Sequence, residues 1–449
     1  MPAPEALAAA LRRAIADDQA ENRLPSVAAA VVRDRELVWE DAVGLADAES
    51  GEDATADHQY RVGSITKTFT AVAVMQLRAD GKLELDDPLD AHLDVPAHGA
   101  LTIRRMLAHA SGLQREIPGD VWETLAFPRT TEELMKTLEE AELVLGPGER
   151  WHYSNLAYIL LGEVVAKLGE MPYEDHVEQR ILEPLGLSRT GFGPEPPTAV
   201  AYRVDPYSDV VHREPMMVER TGGLAAAGQL WSTVGDLCRW ASFLAEPDEH
   251  VLADDAVELM TSVQSMADPY RWQRAWGVGL MLSRDGEHVY CGHDGGMPGY
   301  VANVLASRED KLGVAVLVNG GNFAPVDVSF QLLRKLREHL PLERPAWRPS
   351  TAPPEELAGV LGRWWTEGLE FVLRWHDRRL EARSVDAAEW QPWARFEPLG
   401  DDRFRTVFGR ERGELLRIVR AEDGTPTKLY WATYPMTRDP DGFGAGTRS

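Results

Sequence analysis

The sequence contains few cysteines, no long apolar run and less positive than negative charge. Two cysteines in 449 residues are too few for a disulfide framework. No segment reaches the roughly 18 consecutive apolar residues that a membrane span needs, so none is expected. With 47 basic against 72 acidic residues the net charge is −25, which argues against nucleic-acid or anionic-membrane partners.

Motifs for metals, phosphates and dinucleotides are also missing. The histidines form no His-Glu-x-x-His pattern, and Cys291-Gly292-His293 is too little for a zinc site. The Gly-rich stretch 292–299 lacks the Lys-Ser/Thr of a phosphate loop, and Gly277-Val278-Gly279 lacks the third glycine of a dinucleotide site. We therefore expect no metal and no cofactor.

A serine and a lysine three residues apart begin an apolar, helix-period segment that Gly81 ends. Ser64 and Lys67 share one face of that helix, so the lysine amine can take the proton of the serine hydroxyl. The free N–H groups at a helix N-terminus also suit a developing oxyanion. The simpler alternative is a capping serine and a solvated lysine.

Two further motifs follow in order. Tyr153-Ser154-Asn155 precedes the helical run 156–168, and His293-Asp294-Gly295-Gly296 ends a strand-like segment. Together with Ser64-x-x-Lys67 they resemble the serine β-lactamase and penicillin-binding-protein superfamily, in its class C β-lactamase, DD-peptidase and esterase branch. The connecting stretches 101–113, 222–224 and 228–237 resemble the same family, and the resemblance covers about residues 5–340.

The resemblance implies a role for each motif residue. Ser64 would be the nucleophile of an acyl-enzyme mechanism and Lys67 its base, with Tyr153 sharing the base role and protonating the leaving group. Asn155 would bond Lys67 and a substrate amide oxygen, and the N–H groups of Ser64 and Gly296 would form the oxyanion hole. Two plainer readings stay open: Tyr153 as a core tyrosine, and Asn155 as only a helix N-cap.

The third motif bears on the substrate. His293 stands where β-lactamases carry lysine, and Asp294 departs from the usual Thr, Ser or Gly, which makes a poorer receptor for a substrate carboxylate. Gly295 and Gly296 would let substrate backbone approach the strand. We therefore expect a hydrolase of short esters, or of amides and peptides with a free amine. A β-lactamase or DD-carboxypeptidase is the alternative, and a non-catalytic binding protein is the alternative from another class.

The distribution of elements predicts an α/β (α+β) fold with two domains. Residues 1–340 would form a β-lactamase-like antiparallel sheet flanked by helices, with an inserted helical lobe. Its strands are expected at 26–32, 37–39, 276–282, 288–292, 300–307 and 312–318. Residues 341–354 are a proline-rich linker, and residues 355–449 show short strands typical of an antiparallel β-barrel. This last region resembles a lipocalin-like module, chiefly at Gly362-Arg363-Trp364-Trp365.

The N-terminal 22 residues are amphipathic and lack the apolar core of a secretory signal, so we expect a cytoplasmic protein. Its expected partner is a small-molecule or short peptide substrate, without nucleic acid or membrane. The oligomeric state is left open.

Overall fold

The computed structural model describes residues 3–124, 126–215, 222–321, 324–341, 349 and 352–440. The chain divides into two compact units, Met1–Leu342 and Glu343–Ser449. Most of the proposed linker lies outside the described residues. The domain limits given above therefore stay a prediction, and each unit is described by itself.

The first unit is built on a nine-stranded antiparallel sheet with the order β3-β2-β1-β13-β12-β11-β10-β9-β8. The strands of this unit are β1 Ser26–Arg33, β2 Glu36–Asp47, β3 Glu52–Asp53, β4 Tyr60–Arg61, β5 Tyr202–Val204, β6 Val211–Arg213, β7 Trp231–Ser232, β8 Ser265–Met266, β9 Arg274–Trp276, β10 Met281–Asp285, β11 His288–Met297, β12 Tyr300–Ser307 and β13 Leu312–Val318. Two short pairs, β4 with β7 and β5 with β6, lie outside this sheet.

Helices come before the sheet's first strand, between its strands and after its last. They are α1 Glu5–Glu21, α2 Thr66–Ala79, α3 Ile103–Leu107, α4 Val121–Thr124, α5 Thr131–Leu138, α6 Asn155–Gly169, α7 Tyr173–Val177, α8 Glu183–Leu185, α9 Ala225–Gly228, α10 Val234–Ala245, α11 Asp254–Met260 and α12 Val326–His339. None of the helices in the described part of the chain has the length and apolar character needed to cross a bilayer.

The central strands are buried on both faces. Every residue of β13 and all but the last of β1 are buried, which explains their near-continuous apolar sequence. One face packs on α1 and α12, and the other packs on the core that contains α2, α6 and α10. The observed sheet with an inserted helical lobe confirms the fold class predicted for this part of the chain.

Three strands differ from their predicted extent. The strand predicted at 37–39 is the longer β2, Glu36–Asp47. The segment 276–282 is two strands rather than one, because Gly279 has φ +84° and a Cβ there would lie 2.1 Å from that of Ala71. Strand β11 continues past Gly292 to Met297, so the His293-Asp294-Gly295-Gly296 motif lies within the strand rather than at its end.

The start of α2 is packed directly against β11. A short turn, Gly63–Ile65, precedes the helix, and Gly63 has φ +52°. A Cβ on Gly63 would lie 2.7 Å from the nitrogen of Gly296, and a Cβ on Gly295 would lie 2.0 Å from the carbonyl oxygen of Val62. Glycine at both positions therefore lets the two backbones approach, which brings Ser64 beside the strand.

The second unit is an eight-stranded antiparallel barrel with the strands in sequence order. Its strands are β14 Gly362–Thr366, β15 Leu369–His376, β16 Arg379–Ser384, β17 Ala394–Gly400, β18 Arg403–Phe408, β19 Leu415–Arg420, β20 Pro426–Trp431 and β21 Tyr434–Met436. Trp365 and Thr437 exchange backbone hydrogen bonds of 2.8 and 2.9 Å, which close the barrel. This confirms the predicted C-terminal β-barrel.

We expect Gly295→Ala to lower the free energy of unfolding of the first unit by about 1–3 kcal/mol, because the added methyl group overlaps the Val62 carbonyl. Gly296→Ala is the matched control, since a Cβ there meets nothing within 4 Å. Urea unfolding of both variants measures the difference. Equal stability of the two variants would show that the backbones separate without cost.

Candidate active site

Ser64 and Lys67 meet at the beginning of α2. The Lys67 amine donates hydrogen bonds to Ser64 Oγ (3.1 Å) and to the carbonyl oxygen of Ala227 (2.5 Å). The lysine is fully buried. This excludes the solvated lysine of the simpler alternative and leaves the amine aimed at the serine hydroxyl.

Burial is the main electrostatic influence on Lys67. It lowers the pKa of the amine well below its usual value; nearby Glu116 raises the pKa, and Arg115 lowers it further. Removal from water disfavours the charged form of an amine. The neutral form, which has a lone pair able to accept a proton from Ser64, is therefore favoured.

Tyr153 approaches the same serine. The Lys67 amine lies 5.1 Å from the centre of the Tyr153 ring. Burial raises the pKa of the phenol, while Ser64 and the Arg115 charge lower it. Ser64 Oγ therefore has the Lys67 amine as a hydrogen-bond partner and the Tyr153 phenol as a neighbour.

His109 fixes the segment that carries Tyr153. Its imidazole stacks on the Tyr153 ring with centroids 4.1 Å apart, and its Nδ1 accepts the N–H of Ser154 at 3.1 Å. Its carbonyl oxygen accepts the N–H of His152 at 2.7 Å. His109 thus holds the chain on both sides of Tyr153.

Asn155 lines the same cavity as Ser64, but its side chain bonds a different partner from the one expected. Its side-chain amide donates to Glu116 Oε1 at 2.7 Å, while the amine of Lys67 bonds Ser64 and Ala227. The helix cap is Ser154, whose hydroxyl accepts the N–H of Ala157 at 3.1 Å. The expected Asn155–Lys67 bond and the N-cap reading are both wrong for this arrangement.

His293 is buried beside Tyr153 and Trp276, with ring centroids 6.1 and 5.8 Å away. Burial and the Lys67 charge lower its pKa to about 3. A neutral imidazole has one N–H. In His293 this N–H is on Nδ1 and donates to the carbonyl oxygen of Asp294 at 2.5 Å. Nε2 is consequently a bare acceptor, with no hydrogen-bond partner among the described residues.

Asp294 and Gly295 do not serve the pocket as expected. Successive side chains on a strand point to opposite faces, and the Asp294 carboxylate accepts from Asn303 (2.7 Å) and pairs with Arg274 (3.1 Å). Asp294 is thereby committed to those two partners rather than to a substrate. The side of Gly295 where a Cβ would stand is taken by the Val62 carbonyl, so close chain packing accounts for that glycine.

A cavity of about 510 Å³ lies beside the serine. Its lining includes Ser64, Asn155 and Gly296, together with Arg115 and Glu116. The close approach of Gly63 and Gly296 puts the backbone of Gly296 next to the turn that carries Ser64. This is the geometry that a shared oxyanion hole requires.

Arg115 and Glu116 also lie at the site, although no sequence motif contains them. The Arg115 guanidinium lies 4.8 Å above the Tyr153 ring, and its Nε lies 3.3 Å from Glu116 Oε1. The available signal was position, since both residues come two and three places after the family-like stretch that ends at Leu113. In the described residues, no three His, Cys, Asp or Glu side chains are grouped to hold a metal ion.

Comparison with known proteins gives the family of this chain. The family model described as "Beta-lactamase" matches residues 11–336. The chain belongs to the beta-lactamase family. A second model, a domain of unknown function (DUF7586), matches residues 353–438. The resemblance inferred from the motifs is thus confirmed for the main part of the chain.

Individual relatives of this beta-lactamase-family chain cover different shares of it. "Beta-lactamase-like protein 2" of Dictyostelium discoideum is 28% identical over 270 residues, which is 55% of this chain and 47% of that protein. The D-alanyl-D-alanine-carboxypeptidase/endopeptidase AmpH of Escherichia coli K12 is 27% identical over 279 residues, 58% of this chain and 71% of AmpH. The structure of D-amino acid amidase from Ochrobactrum anthropi SV3 has a TM-score of 0.63 and 26% identity, covering 74% of this chain and all of that one.

We expect Arg115→Met to move the acidic limb of the kcat/KM profile to higher pH. The guanidinium lowers the pKa of Lys67, so its removal raises that pKa and the neutral amine forms later. Loss of the contact with Tyr153 should also reduce kcat/KM about 2- to 5-fold on the plateau. Profiles on a p-nitrophenyl ester measure both effects.

Arg115→Lys is the matched control for charge, and we expect its acidic limb to stay close to that of the wild type. Glu116 acts on Lys67 with the opposite sign, so it must be kept intact in both variants. An unshifted limb in Arg115→Met would contradict the electrostatic role.

Proposed function

We propose that this chain is a serine hydrolase that works through an acyl-enzyme on Ser64. The observation that carries the proposal is the hydrogen bond between the amine of buried Lys67 and Ser64 Oγ, with Tyr153 packed beside them. A serine hydroxyl becomes a competent nucleophile when a positioned base takes its proton. Membership of the beta-lactamase family supports the same conclusion.

In the first half-reaction, Ser64 Oγ attacks the substrate carbonyl carbon and its proton passes to the Lys67 amine. The N–H groups of Ser64 and Gly296 receive the negative charge that develops on the carbonyl oxygen. Collapse breaks the bond to the leaving group, which Tyr153 protonates after proton exchange with Lys67. Water then attacks the acyl-enzyme with the same groups in reverse, which restores Ser64.

Within the site, the charges indicate the substrate class. His293 is buried, does not line this cavity and has its N–H bonded to its own backbone, so it offers no donor to a substrate carboxylate. Glu116 lines the cavity with its side chain 28% exposed. Asn155 and Arg115 both contact its Oε1, and we assign its other oxygen, Oε2, to a substrate ammonium. The attraction first assigned to Asp294 therefore belongs to Glu116, and the favoured substrates are short esters and amides or peptides with a free amine.

Two relatives bear on this choice. The structure of D-amino acid amidase supports amide substrates for the present chain. AmpH is named as a D-alanyl-D-alanine-carboxypeptidase/endopeptidase, which keeps DD-carboxypeptidase as the second candidate. That reaction needs a receptor for a substrate carboxylate. His293 offers it no donor, and the Arg115 guanidinium on the cavity wall is already paired with Glu116. A non-catalytic binding protein would have no need of a lysine buried against a serine.

A fluorophosphonate should label this protein once, on the peptide that contains Ser64, because the probe reacts with an activated serine. Ser64→Ala should remove the label while leaving the fold intact, as circular dichroism would verify. Mass spectrometry of the digested protein locates the label. Stoichiometric labelling of Ser64→Ala at another residue would refute the mechanism.

We expect kcat/KM for p-nitrophenyl butyrate and D-alanine p-nitroanilide to exceed that for nitrocefin by about tenfold or more, on the scale of one buried charged hydrogen bond. Glu116→Gln should raise KM for the anilide by about tenfold, because it removes the partner of the ammonium. The same variant should change KM for the butyrate, which has no amine, by less than about twofold.

All rates are compared on the alkaline plateau, because Glu116 also raises the pKa of Lys67. An equal loss on butyrate and anilide would mean that Glu116 acts through Asn155 rather than on the amine. Faster turnover of nitrocefin than of the other two substrates would establish the β-lactamase alternative.

A further inference from the structure

One end of the C-terminal barrel holds a cavity that the proposed chemistry does not use. Its volume is about 420 Å³. It lies where β16 ends and β17 begins, between the connecting loop 385–393 and the turn that starts at Gly409. Cavities of this size at the mouth of a β-barrel are common places for a small ligand.

Aromatic side chains line this cavity. Phe371 and Trp431 meet edge to face with ring centroids 5.9 Å apart. The indole N–H of Trp431 already donates to Thr406 Oγ1 at 2.9 Å, which leaves its carbon surface for a ligand. Trp390 stands at the rim with 80% of its surface exposed. An exposed tryptophan beside an aromatic lining favours a planar or apolar guest.

The barrel interior beyond the cavity is filled by the protein's own side chains. Trp364, Leu373, Phe396 and Leu429 are all buried there. The cavity is therefore a shallow cup at one end of the barrel, with room for one small molecule rather than a long chain.

The walls of the cup are held in place without a ligand. Arg383 donates to the carbonyl oxygens of Ala387 and Ala388 at 3.1 and 2.8 Å, which fixes the loop 385–393. Gly409 packs so closely that a Cβ would lie 2.9 Å from the Cα of Ala394. A preformed site loses less conformational entropy on binding.

Positive charge surrounds the cup. The Arg410 guanidinium lies 5.5 Å above the Phe371 ring, with only its Nε directed to Glu411 at 3.2 Å. Arg383 also lines the cavity, and none of the described residues that line it is acidic. Two guanidinium groups at an aromatic cup are complementary to an anion.

We propose that the C-terminal barrel is a binding module for a small aromatic molecule that carries an anionic group. The ring stacks between Trp390 and the aromatic lining, and the anion pairs with Arg410. This site is separate from the proposed hydrolase chemistry and does not depend on it.

Two fluorescent probes that share one ring system test the proposal on the full chain. Anilinonaphthalene sulfonate carries the anion, and N-phenylnaphthylamine lacks it. We expect the sulfonate to bind at least about tenfold more tightly, since charge-assisted pairing with Arg adds to stacking. Prior labelling of Ser64 with a phosphonate should leave that affinity unchanged.

Variants separate the contribution of the Arg410 charge from that of stacking on Trp390. Arg410→Met should weaken the sulfonate by about tenfold and leave the neutral probe unchanged, while Trp390→Ala should weaken both by about fivefold. Arg403→Met, at the other end of β18 and paired only loosely with Asp401 (3.5 Å), is the control and should change neither. Equal affinities for the two probes, or full sulfonate binding by Arg410→Met, would overturn the proposal.

Discussion

The burial of the Lys67 amine is the interaction on which the site depends. A charged amine taken out of water is costly, and within the described part of the chain its hydrogen-bond acceptors are only the carbonyl oxygen of Ala227 and the hydroxyl of Ser64. The nearest carboxylate influence comes from Glu116, whose hydrogen bond is to Asn155 rather than to the lysine. The structure thus favours a neutral amine. The desolvation that lowers the stability of the fold with a charged lysine also suits this lysine to its proposed role as a base.

Glycine at two positions lets the helix that carries Lys67 pack directly against strand β11. If the start of α2 stood farther from β11, Lys67 could still be buried, but no backbone N–H of the strand would lie near Ser64. The left-handed φ of Gly63 and the absent side chain of Gly295 remove that gap. Two elements far apart in sequence, helix α2 and strand β11, therefore supply Ser64, the proposed nucleophile, and Gly296, its proposed oxyanion partner.

Much of this could be predicted from the sequence, and the reasons for success and failure are physical. The grouping of Ser64, Lys67 and Tyr153 could be predicted because the proposed chemistry restricts residue type and spacing, and because helix periodicity places Ser64 and Lys67 on one face. The strands 300–307 and 312–318 were predicted to the residue, because buried apolar runs bounded by turn residues have sharp ends. The split at Gly279 was missed, since it arises from contact with Ala71, about 200 residues away in sequence.

The partners of individual side chains are harder to predict from the sequence than the strands and the motif residues. Asp294 looked like a pocket carboxylate because it adjoins His293, yet strand alternation sends the two side chains to opposite faces and Asn303 and Arg274 claim it. Arg115 and Glu116 belong to no recognised motif, and only folding brings them over Tyr153 and Asn155. Which nitrogen of His293 keeps its proton is likewise decided by one backbone carbonyl. Residue type sets what chemistry is available, and tertiary contacts decide which donor or acceptor is left for the substrate.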